Sequence, residues 1–113
     1  MNRPAFRGSN LSGLTLKAFN LSGADLSGTQ LIWTNLDETN LREADLFEAI
    51  LIGTFLNQAD LSGADLRRAL LNEVDLSQAN LQGTLLEETK YIRWTKWPDN
   101  FDPVQAGAIQ QEE

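Results

Sequence analysis

The chain of 113 residues contains no cysteine and no histidine. Disulfides are therefore excluded, and so are Cys-His and Ser-His nucleophile pairs and metal sites built on thiolate or imidazole. Of the groups that carry chemistry, mainly carboxylates remain. Basic residues are few, 9 against 16 acidic, for a formal charge of −7. That balance argues against a nucleic-acid partner or an anionic membrane surface. No apolar run approaches the roughly 20 residues of a membrane span. The longest, Ala49 to Leu56, is interrupted by Gly53 and Thr54. The opening Met-Asn-Arg-Pro-Ala-Phe lacks the apolar core of a signal peptide, so a cytoplasmic location is expected. No Gly-rich phosphate loop stands out, because the glycines follow the rhythm of the whole chain.

That rhythm has a period of five. Leucine occupies every fifth position from Leu11 to Leu86, and Phe6 and Tyr91 extend the series at either end. A helix advances about 100° per residue, so leucines five apart would scatter around it. A strand alternates faces with period two, so an odd spacing would send successive leucines to opposite sides. A chain that turns after every pentapeptide can point all of them at one axis. A short fixed period of this kind marks a solenoid.

The other slots agree. Two residues before the leucine the side chain is nearly always small, as at Ala24, Thr29, Thr34, Thr39, Ala44 and Ala49, with Val74 a mild departure and Leu14 and Phe19 too large. A narrow core already filled with leucine leaves room for little else. The residue just before the leucine is often Asp or Asn (Asn20, Asp25, Asn35, Asn40, Asp45, Asp60, Asp65), and glycine recurs two residues after it. Both suit tight turns. The recurring phrase Ala-(Asp/Asn)-Leu-x-x resembles the pentapeptide-repeat family over about Phe6 to Tyr91. The resemblance implies an all-β fold, a right-handed, quadrilateral (four-sided) pentapeptide-repeat β-helix with four pentapeptides per coil. Wrapping at twenty gathers Ile32, Ile50, Ile52, Leu70 and Ile92 on one side.

One domain, 1–113, is expected. Residues 1–19 form an N-terminal arm and an irregular capping coil, in which Phe6, Leu14 and Phe19 plug the end. Residues 20–91 are the regular body. The pattern breaks after Tyr91, and 92–113 form a C-terminal cap. Its aromatics, Trp94, Trp97 and Phe101, are read as a cover for the last coil, with a ligand pocket as the alternative. Asp102-Pro103 reads as an N-cap and first helical residue, with Gln105 placed for a capping box, and predicts a short capping helix over about 103–110. The ending, with its Trp-Pro-x-x-Phe-Asp-Pro-x-x-Ala-Gly-Ala string, resembles that of cyanobacterial pentapeptide-repeat proteins.

Two surfaces are functional candidates. Ile32, Ile50, Ile52 and Leu70 form an apolar column in slots that are normally polar, and exposed apolar patches mark interaction sites. Asp25, Asp45 and Asp65 would stack as an acidic ladder with neighbours about 5 Å apart. That distance resembles the carboxylate pair of a retaining glycosidase, but a flat exposed side offers no cleft. A weak divalent-cation site is a further alternative to a purely structural ladder. The expectation is a non-enzymatic module without cofactor, metal or small-molecule substrate. It would bind an unidentified protein, or itself, through the apolar face. The alternative, implied by the family resemblance, is a DNA-mimic binder or inhibitor of a topoisomerase such as gyrase.

Overall fold

The structure, a computed structural model, describes residues 3–112. The Cα trace measures 37 × 25 × 21 Å. From Ala5–Asp25 to Leu70–Lys90, residues twenty apart pair as parallel bridges. Each coil thus has four pentapeptides and four sides. Leucines from Leu26 to Leu76 are buried along the axis, interleaved with Ala24, Thr29, Thr34, Thr39, Ala44 and their equivalents.

Every amide of a typical pentapeptide has its own partner, which accounts for the sequence slot by slot. Around Leu26, the Leu26 amide donates to the Asp45 carbonyl of the next coil at 2.7 Å. The Asp25 amide donates backwards to Pro4, and the Gly28 amide forwards to Phe47. The Thr29 amide closes the turn on the Leu26 carbonyl at 3.2 Å. The Ser27 amide is left over, and the Asp25 Oδ1 accepts it at 3.1 Å. The Asp/Asn preference is therefore a set of Asx turns, repeated at Asn10, Asn20, Asn35, Asn40, Asp60 and Asn80. The third residue of most turns has positive φ, as a type II turn requires, which explains Gly8, Gly23, Gly28 and Gly63. Buried threonine hydroxyls donate to leucine carbonyls, either in their own turn (Thr29 to Leu26, 2.7 Å) or one coil back (Thr89 to Leu66, 2.6 Å).

Both ends depart from expectation. Of the three residues expected to plug the N-terminal end, only Phe6 packs against the core. Leu14 and Phe19 are 47% and 52% exposed. Part of the expected arm already belongs to the coil, since Ala5 bridges Asp25; residues 1 and 2 lie outside the described residues. At the other end the winding does not stop at Tyr91. β1 (Lys90–Tyr91) pairs in parallel with β2 (Ile109–Gln110). Thr95 takes the small inward slot and Lys96 bridges Asp75, twenty-one residues away. One extra residue on that side displaces the aromatics from the five-residue frame.

No helix is present among the described residues, so the capping helix over 103–110 is not formed. The start signal itself is correct: Asp102 Oδ1 accepts the amides of Val104 and Gln105 at 3.1 and 3.2 Å. One turn follows, closed by the Ala106 amide on the Asp102 carbonyl. Gly107, with φ at 102°, then redirects the chain so that Ile109–Gln110 can continue the ladder. Of the cap aromatics, Trp97 packs edge-on against Tyr91 and stacks on Phe101, with centroids 5.2 and 5.5 Å apart, whereas Trp94 is 57% exposed.

Candidate functional site

The structure brings Ile32, Ile50, Ile52 and Leu70 onto one side of the β-helix. Gln30, Ile50, Leu70, Lys90 and Ile109 run down that side as one ladder of bridged residues. Ile32 and Ile52 stand in the parallel column two residues further on, continued by Asn72 and Ile92. All four predicted residues and Ile92 are half-buried. Ile109 extends the patch and is 45% exposed. Sequence reasoning placed Ile109 in a helix and so missed it; the signal was its position one coil below Lys90. A stacked row of charge borders the patch, with Arg68 reaching Glu48 at 3.4 Å and Glu88 at 3.8 Å.

This side breaks the local rule of the fold. Ile50 and Leu70 occupy the slot from which Asp or Asn caps the amide two residues later. An aliphatic side chain cannot accept that hydrogen bond, and a local capping bond of this type is worth about 0.5–1.5 kcal/mol. Leu85, on the acidic side, is another aliphatic residue in this slot, whereas at two further non-Asx positions a side chain of the preceding coil accepts the amide instead. Ser12 Oγ accepts the Ile32 amide at 3.1 Å beside Gln30, and Asp37 Oδ1 accepts the Asn57 amide at 2.8 Å beside Phe55. In the middle of the apolar patch, polar capping has been exchanged for half-buried hydrocarbon.

Asp25, Asp45 and Asp65 are also brought together, as consecutive bridge partners on another side. Each carboxylate is occupied locally. Asp25 is buried; it accepts the Ser27 hydroxyl at 2.7 Å and faces Arg7 at 3.2 Å and Arg3 at 3.7 Å. Asp45 caps the Phe47 amide at 3.0 Å. Asp65 holds Arg67 through two hydrogen bonds of 2.9 and 2.8 Å. The Ser27 hydroxyl and amide, then Arg7 and Arg3, hold the Asp25 carboxyl below its usual range, despite an opposing contribution from burial. Arg67 does the same for Asp65. The ladder is a run of Asx turns in which arginines pair with Asp25 and Asp65. Among the described residues, no group of three or more carboxylates is arranged to hold a metal ion. No helix among them is long and apolar enough to cross a membrane.

The chain matches the sequence model of the family described as pentapeptide repeats, in eight copies over residues 5–42, 24–63, 39–78 and 56–88. Among solved structures it is similar to alr5209, a pentapeptide repeat protein from Nostoc PCC 7120. That match has 41% identity over 96% of this chain and 86% of the other, with a TM-score of 0.52. It is also similar to HetL from Nostoc sp. strain PCC 7120, a pentapeptide repeat protein involved in heterocyst differentiation regulation. There the identity is 38%, the TM-score 0.76, and the match covers 83% of this chain but 41% of HetL. A pentapeptide repeat protein from the Arabidopsis thaliana thylakoid lumen shares 26% identity over 78% of this chain and 68% of its own, with a TM-score of 0.54. No curated protein sequence matches.

Proposed function

The chain belongs to the pentapeptide-repeat family, and from that premise we propose that it is a non-enzymatic binding or scaffolding module. It docks a protein surface, a second copy of itself included, on the side formed by Ile32, Ile50, Ile52 and Leu70. The observation that carries this reading is the replacement of amide-capping Asp or Asn by Ile50 and Leu70 on a side that remains partly open to solvent. A fold that gives up local hydrogen bonds for half-buried hydrocarbon gains from it when another apolar surface covers the patch. The DNA-mimic alternative has less behind it, because Arg3, Arg7 and Arg67 offset the acidic ladder.

Sedimentation velocity over a wide concentration range, on the native chain and on the double variant Ile50→Lys, Ile52→Lys, tests the proposal. If the face binds a second copy, the native chain self-associates and the variant is a monomer with an unchanged circular dichroism spectrum. If the native chain is a monomer, it serves as bait for a different protein, and the variant must lose whatever the native chain retains. Equal behaviour of the two chains in both experiments would sink the reading.

A further inference from the structure

Trp33 does not fit its slot. It stands at the third position of a turn with φ at 59°, where the Cβ of an L-residue crowds the following carbonyl. The other non-glycine residues with positive φ are alanine, glutamate, glutamine, arginine or asparagine. Trp33 is in addition 58% exposed. Glycine, found at the equivalent position one coil on, would remove the strain and the exposed hydrocarbon, at the loss of the ring's contacts with Gly53 and Phe55. An outlier of this kind points to function.

The surroundings are shaped to the ring. Gly53 lies under it so closely that an added Cβ would stand 2.7 Å from Trp33 Cε3 and Cζ3. Phe55, half-exposed, stands beside it with ring centroids 6.5 Å apart and planes at 46°. The two rings wall a cleft of about 240 Å³ that Asp37, Asn57, Glu73 and Asp75 also line. Small-molecule pockets run to roughly 300–1,000 Å³, so this cleft is sized for one side chain. Three carboxylates line it and no lysine or arginine does. Cations in the adjoining coils are Lys17, which pairs with Glu38 at 4.0 Å, Lys96, which bridges Asp75 in the backbone ladder and whose charge acts on the Asp75 carboxylate, and Arg93, whose guanidinium lies over the Trp94 ring at 4.8 Å.

We propose that this cleft binds a guanidinium group, presented as an arginine side chain of a partner protein. A guanidinium is planar, stacks on aromatic faces and pairs with carboxylates through several N–H donors. A lysine ammonium can also reach both halves of the cleft, but it lacks the planar face and the fork of donors. The site lies around the corner from the apolar face and does not rest on that face being an interface.

The test is titration of the full chain with acetyl-Gly-Arg-Gly-amide and with its citrulline and lysine counterparts, followed by ¹H–¹⁵N NMR. The Trp33 indole signal is identified by its loss in Trp33→Gly. The arginine peptide should shift the Trp33 indole and Gly53 amide saturably, with a millimolar Kd, and the neutral citrulline peptide should bind at least about tenfold more weakly. The pair Asp37→Asn, Glu73→Gln should weaken binding several-fold. Trp33→Gly should abolish it while leaving the circular dichroism spectrum unchanged, because glycine accepts the positive φ. Absence of a saturable shift, or equal binding of the citrulline peptide, would overturn the site. Equal binding of the lysine peptide would overturn its assignment to guanidinium.

Discussion

The Thr54 hydroxyl donates to the Leu31 carbonyl at 2.6 Å, across the gap between one coil and the next. The same carbonyl closes its own turn by accepting the Thr34 amide at 3.2 Å. One buried oxygen therefore ties a turn to the coil that follows it. Thr54→Val keeps the volume and removes the donor, so it should cost about 1–2 kcal/mol. Thr54→Ser should cost less, because the donor survives. Urea denaturation midpoints of the three chains check the order.

Acid should destabilise the fold in a window set by its Asx turns. The Ser62 hydroxyl, then the Ser62 amide, hold the Asp60 carboxyl below its ordinary value of 3.8; Ser77 acts likewise on Asp75. Such a carboxyl binds its proton less tightly folded than unfolded, so its contribution is complete above the ordinary value. It is lost as pH falls through that value to the lower folded one. Asp60 stands between Asn40 and Asn80 in its ladder, and both asparagines cap an amide in the same way. Asp60→Asn should therefore leave the melting temperature near pH 7 almost unchanged and flatten its fall below about pH 4. Thermal melts from pH 7 to pH 2 on both chains check this.

Gly107→Ala should loosen the last coil. Its φ of 102° is unfavourable for alanine, and the new Cβ would stand 3.1 Å from the Glu87 Cα, a backbone atom that has little room to yield. A loss of about 1–3 kcal/mol is expected. In hydrogen exchange it should be concentrated in the amides of Ile109 and Gln111, which bond to Thr89 and Tyr91. A uniform loss of protection over all coils would contradict this account.

The body of the fold was legible because its constraint is periodic. One leucine every five residues admits few backbones, and wrapping at twenty placed Ile32, Ile50, Ile52 and Leu70 together, as found. The ends were less legible, because local signals compete there with pairing to a distant segment. Asp102 does cap a turn, but β2 gains more by pairing with β1 than the chain would by extending a helix through Gly107. Leu14 and Phe19 looked like a plug from their size, which does not tell where the side chain lies. The acidic ladder was found, but not its arginine partners: Arg3 and Arg7 reach Asp25 from eighteen or more positions away. The Trp33 cleft was missed too. Wrapping at twenty already stacks the indole, Gly53 and Glu73, but the positive φ at residue 33 and the cleft beside it cannot be read from tryptophan.

The coil of four pentapeptides also separates two ways in which such a chain can change length. Deleting five residues from the body would keep every downstream leucine on the axis. It would also rotate everything after the deletion by a quarter turn, sending Ile50 and Leu70 to a different side from Ile32. Deleting or duplicating twenty residues would leave all four sides in phase. The core tolerates edits in steps of five, whereas any surface that spans several coils tolerates them only in steps of twenty. Length variation in steps of five can therefore rearrange the surfaces of this fold while its interior stays the same.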